Sequence, residues 1–87
     1  VLPASSFFEK LGTYTNTDRR VQIGRPVIPT PGEARLDWQV LCDLSTRLGY
    51  RMDYASPEQV FDEFAALTQS YAGLNYRNLA GGGKVWP

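Results

Sequence analysis

The chain has 87 residues, nine acids, nine bases, one cysteine and no histidine. That length allows a single domain and buries only about 60% of the unfolded surface, so a partner or dense packing is needed for stability. Balanced charge excludes a global field drawing in nucleic acid or membrane. Cys42 alone excludes an internal disulfide or an iron–sulfur cluster held by this chain by itself, and the missing histidine removes the usual general base.

Residues 1–8 read as the end of a buried strand, which Pro3 stops because it offers no N–H to a ladder. Phe7 and Phe8 then need cover. Gly12 permits a turn, and Thr13-Tyr14-Thr15 favours an extended strand. Val21-Gln22-Ile23 alternates apolar and polar residues, so a short β-hairpin is expected near 13–23, with turn formers from Asn16 to Asp18. The proline- and glycine-rich stretch 24–32 is an extended connection lying over a surface, with Val27 and Ile28 expected to be buried.

A first helix is predicted over 33–48, with Leu41, Leu44 and Leu48 in an apolar stripe widened by Trp38 and Val40. Glu33 and Arg47 complement its macrodipole, and Gly49 suits its C′ position. Ser56-Pro57-Glu58-Gln59 opens a second helix, over 57–68, as a capping box with proline at the first position. The short connection between the two predicts a helical hairpin. Residues 69–87 read as irregular, with one helical turn near Asn75 to Leu79. Gly81-Gly82-Gly83 reads as a boundary rather than a phosphate loop, and Lys84-Val85-Trp86 as a strand needing a partner outside this chain. No apolar run approaches the roughly 18 residues that span a membrane, and no signal peptide is evident. Opening on Val rather than Met leads us to expect a piece processed or cut from something longer.

The polar run from Glu9 to Gln22, following Val1-Leu2-Pro3, is the most informative feature. With Pro31-Gly32-Glu33-Ala34-Arg35, Asp37-Trp38, Leu48-Gly49-Tyr50, Ser56-Pro57-Glu58, Ser70-Tyr71-Ala72-Gly73 and Trp86-Pro87, it resembles the large subunits of molybdopterin oxidoreductases that carry a bis(molybdopterin guanine dinucleotide) cofactor. The later segments look most like formate dehydrogenase catalytic subunits. Leu11 departs from the family, whose members usually carry an acid between the lysine and the glycine. The resemblance implies an α+β fragment covering 1–87, excised from the larger α/β domain that binds a guanine dinucleotide arm.

It also implies that Lys10 and Asp37 line the guanine dinucleotide. A carboxylate can accept the paired N1–H and N2 amino donors of guanine, a pattern adenine lacks. On composition alone, Lys10 would be a solvated lysine and Asp37 a first-turn acid. Asn16, Arg19, Arg20 and Gln22 read as a network fixing an irregular loop. Cys42 reads as a small helical hydrophobe rather than a ligand to molybdenum or tungsten.

The implied parent oxidises formate and passes electrons to iron–sulfur clusters; this piece holds no catalytic residue and is expected to be inert alone. Its partner would be the rest of the catalytic subunit, its compartment the cytoplasm, and its uncovered apolar surface a route to self-association. Other readings are a related redox subunit (nitrate reductase or the NADH dehydrogenase large subunit) and a free-standing helical interaction module.

Overall fold

The computed structural model describes residues 1–87, and the chain forms a small α+β unit with a three-stranded antiparallel sheet. Strand β1, Gly12–Thr15, pairs with β2, Arg20–Gly24, in the hairpin anticipated from the threonine and valine patterns. Their connection turns at Arg19, which takes a left-handed φ of 64°. Asn16 stabilises that turn: its side-chain oxygen accepts from the Arg20 N–H at 2.9 Å.

Strand β3, Lys84–Val85, completes the sheet against β2. This corrects the expectation of an outside partner. The reason lies in Gly83, whose φ of 84° swings the chain back while its N–H donates to the Leu79 carbonyl at 3.0 Å. A Cβ there would stand 2.4 Å from the Val21 carbonyl oxygen, so the triglycine's last member is held in place by close backbone approach.

Helix α2, Pro57–Leu67, begins where the sequence signals it: Ser56 Oγ accepts from the Gln59 N–H at 3.3 Å. The reciprocal bond shifts by one residue, with Gln59 Oε1 accepting from Ala55 at 2.8 Å. A four-residue helix α3, Tyr76–Leu79, is capped by Asn75 and Asn78, each side chain accepting from the other's N–H at 3.0 Å. These elements enclose the core: Val21 from central β2, Phe61 and Ala65 from α2, and Leu79 from α3. Ile23, Tyr71, Leu74, Tyr76 and Trp86 pack around it.

The N-terminal half differs from expectation. Residues 1–8 form no strand; Ala4 makes one parallel bridge to Arg35, and Phe7–Glu9 closes a single 3-10 turn. Helix α1 runs Asp37–Arg47, four residues later than predicted from position 33, because Ala34 and Arg35 are engaged by Pro31 and Pro3. The predicted hairpin of helices does not form. Helix α2 packs on β1 and on the 3-10 turn Gln69–Tyr71, while no residue of α1 is buried. Leu41, Leu44 and Leu48 are 61%, 50% and 78% exposed. Val27, Ile28, Phe7 and Phe8 are exposed too, against the expectation of cover. The apolar periodicity is real, but only its first turn, at Trp38 and Val40, is half-buried, and the leucines beyond stay exposed. No helix is long and apolar enough to cross a membrane.

Candidate functional site

Two short tethers bring the opening segment to the start of α1. Arg35 donates to the Pro3 carbonyl at 3.1 Å, and Ser5 donates to the Arg35 carbonyl at 3.0 Å. Beyond Ser5, the Phe7–Glu9 turn is fixed by the Ser6 N–H donating to Glu9 Oε2 at 2.8 Å. Lys10 leaves that turn in extended conformation and leads into β1. Its ammonium thereby reaches the first residue of α1 and donates to Asp37 Oδ2, across 27 positions of sequence. Asp37 Oδ1 takes no hydrogen bond from the chain.

Both groups of the ion pair keep solvent contact, Asp37 about half exposed. Such a pair contributes about 0–1 kcal/mol, so its opening toward a ligand costs little. Asp37 also sits in the first turn, where a negative charge meets the positive end of the helix.

Beneath Lys10 lies a cavity of about 340 Å³. Lys10, Gly12 and Thr13 form one side, Trp38 another, and Val60, Phe61, Phe64 and Tyr76 the apolar floor and wall. Four elements contribute to it: β1 of the sheet, α2 through its aromatic face, α3 through its first residue, and α1 through its N-terminal turn. Trp38 Nε1 and Tyr76 Oη are shut off from solvent and carry no hydrogen bond. Burial, reinforced by Glu58, Asp62 and Tyr14, raises the Tyr76 phenol above its ordinary 10.0, so it remains a protonated donor at neutral pH.

A larger hollow of about 670 Å³ lies between the residue 50–54 connection and α2. Its polar groups satisfy one another: Arg51 pairs with Asp53 at 2.5 Å, and the Tyr54 hydroxyl donates to Glu63.

Sequence reasoning singled out Lys10 and Asp37, and the structure brings them together. It missed Trp38 and Tyr76 as cavity residues. In the sequence Trp38 reads only as part of an apolar stripe beside Asp37, and Tyr76 only as part of the single helical turn at Asn75 to Leu79. The twin arginines form a loop network: Arg20 Nε lies 3.7 Å from Asp18 Oδ2, and the Arg19 guanidinium lies 6.0 Å from the Trp86 ring centroid. Cys42 is a free, half-buried thiol, and no group of three His, Cys, Asp or Glu residues is placed to hold a metal.

Residues 1–47 match the family model described as molybdopterin oxidoreductase. That is more than half of the chain, and the protein belongs to this family. Over its full length it is 43% identical to the F420-dependent formate dehydrogenase subunit alpha of Methanocaldococcus jannaschii, covering 13% of that relative. It is 41% identical to proteins carrying a formate dehydrogenase designation in Staphylococcus haemolyticus and Staphylococcus aureus, covering 9% of each. The chain thus spans about a tenth of the length of the curated relatives it matches.

Proposed function

We propose that these residues are part of a molybdenum- or tungsten-dependent formate dehydrogenase catalytic subunit, and that they help hold one guanine dinucleotide arm of its bis(molybdopterin guanine dinucleotide) cofactor. The observation that carries this reading is the convergence of Lys10 and Asp37 above a partly apolar cavity. The names of the full-length matches support formate as the parent's substrate. Residues 1–87 would then be one portion of the larger α/β cofactor-binding domain.

The donor and acceptor set fits a guanine nucleotide. Asp37 offers a free carboxylate oxygen to paired N–H donors, and Lys10 offers an ammonium to a carbonyl or phosphate oxygen. The bound cofactor's metal centre supplies the two-electron oxidation of formate to carbon dioxide, with iron–sulfur clusters elsewhere in the parent taking the electrons. The residues of this chain bind and orient; none is assigned a proton-transfer or metal-ligating role.

The rest of the catalytic subunit is the partner that would cover α1 and the 24–32 segment. Separated from it, the piece would self-associate through the same surface. We place the parent in the cytoplasm. The test is Asp37→Ala in the parent, read as metal and guanosine monophosphate per polypeptide. Both are expected to fall; unchanged contents contradict a cofactor-holding role for Asp37.

A further inference from the structure

Helix α1 packs extensively against no other helix or strand, and none of its residues is buried. A helix without a packed face can turn about its own axis unless off-axis contacts hold it. At its C-terminal end, Ser45 Oγ donates to the Tyr50 carbonyl at 2.8 Å, which folds the following connection back onto the helix. The bridge to the opening segment runs through Arg35. Its N–H donates to the Pro3 carbonyl at 3.1 Å, and its carbonyl accepts from the Ser5 N–H at 3.0 Å, around the parallel bridge of Ala4 and Arg35. Ser5 is the only buried residue among the first twenty. The Arg35 side chain then reaches α1, where Nη2 lies 2.7 Å from Asp43 Oδ2. One residue thus holds the opening segment by its backbone and the helix by its guanidinium.

The two ties restrict different motions. The backbone bridge fixes where the helix starts, one residue before its cap Leu36. The ion pair restricts how the helix is turned. Asp43 lies six residues beyond Asp37, so at 3.6 residues per turn it stands roughly 120° round the axis from it. Side-chain tips stand roughly 5–6 Å from a helix axis, so a turn of roughly 30° carries the Asp37 carboxylate about 3 Å sideways. That distance is enough to break a hydrogen bond to Lys10. Lys10 itself is held close to the bridge. Only the Phe7–Glu9 turn lies between, closed by the Glu9 N–H donating to the Ser6 carbonyl at 3.1 Å and the Ser6 N–H donating to Glu9 Oε2 at 2.8 Å.

We infer that Arg35 is the positioning residue of the seam: its bridge to residues 3–5 and its ion pair with Asp43 together set the rotation of α1 that brings Asp37 to Lys10. The guanidinium bonds to Asp43 rather than to Asp37, so it acts through the helix. Any effect on cofactor retention rests on the proposed role of Lys10 and Asp37; the positioning itself does not. Arg35 and Asp43 are both about half exposed, and such a pair shifts an equilibrium by a few-fold, so the effect is graded.

The contact can be read directly. A water-soluble carbodiimide joins an ammonium to a carboxylate as an amide, with loss of water, where the two touch. The full parent subunit, free of cofactor, is coupled in this way, and the yield of the Lys10–Asp37 peptide is measured by mass spectrometry beside the melting temperature. The variants are Arg35→Ala, Asp43→Asn, the two together, and the exchange of Arg35→Asp with Asp43→Arg. Each single variant is expected to lower the yield about threefold, the double variant no further, and the exchange to restore it, all with melting unchanged. Unchanged yield in both single variants overturns the inference, because other parts of the parent then fix the helix. Loss in Arg35→Ala with a normal Asp43→Asn also overturns it, leaving the backbone bridge as the only tie. Loss that tracks lowered melting and is not restored by the exchange shows general stabilisation and overturns it as well. No coupled peptide in the wild type means that the contact itself is missing, with the same result. Guanosine monophosphate content separates this inference from the cofactor reading: full content in Asp37→Ala removes that reading and leaves the coupling result standing.

Discussion

The sheet with α2 and α3 is one kind of structure, and the opening segment with α1 is another. The first encloses Val21, Phe61, Ala65 and Leu79 and has a core of its own. The second carries comparable apolar content but buries almost none: α1 has no buried residue, although Leu41, Leu44 and Leu48 follow helical spacing. Amphipathic periodicity therefore reports which face will be covered, not what covers it. The candidate site stands at the seam between the two regions, where Lys10 meets Asp37 and where Trp38 lines the same cavity as Phe61 and Tyr76.

The largest stability effect should fall in the enclosed region. Phe61→Ala removes a side chain only 5% exposed and is expected to cost about 3–5 kcal/mol in the parent, measured by chemical denaturation. A cost under about 1 kcal/mol would mean that this core is not a cooperative unit. Gly83→Ala should follow, at about 1–3 kcal/mol, because it places a Cβ against the Val21 carbonyl at an unfavourable φ. A neutral result would show that the β2–β3 junction relaxes freely. Phe64→Ala should cost less than Phe61→Ala in the isolated chain, since Phe64 is 43% exposed; equal losses would erase the distinction between wall and core.

In the uncovered region the signs change. Leu41→Ser with Leu48→Ser should alter stability of the isolated chain by no more than about 0.5 kcal/mol while reducing its self-association in sedimentation. A large destabilisation would show that α1 is packed after all. The smallest effect concerns pH. The Tyr76 phenol is raised by burial and by Glu58, Asp62 and Tyr14, so the folded state holds its proton more tightly than the unfolded state. That contribution is fully present below the unfolded value near 10 and is lost as pH rises from there through the folded value. Tyr76→Phe should flatten this alkaline decline; an unchanged slope would place its cause elsewhere.

How much of this was legible in the sequence depended on whether a signal was local. The α2 start was legible because Ser56, Pro57 and Gln59 act within one turn, and Asn75 to Leu79 because its caps are three residues apart. The hairpin followed from the Thr13–Thr15 and Val21–Ile23 patterns. The start of α1 was misjudged because Arg35 is held by Pro3, a contact across more than thirty residues that no propensity records. The inward return of Lys84–Val85 depended on the left-handed geometry of Gly83, invisible in a run of three glycines. The meeting of Lys10 and Asp37 was anticipated only through family resemblance; Trp38 and Tyr76 required the cavity itself.

The most direct test of the central claim is the guanosine monophosphate content of the purified parent carrying Asp37→Ala, set beside the wild type with cofactor-free melting as the folding control. A Lys10–Asp37 seam that holds the guanine arm predicts clear loss of nucleotide with melting preserved. Full nucleotide content in a normally folded variant would contradict it, leaving the ion pair as a weak surface contact and no more.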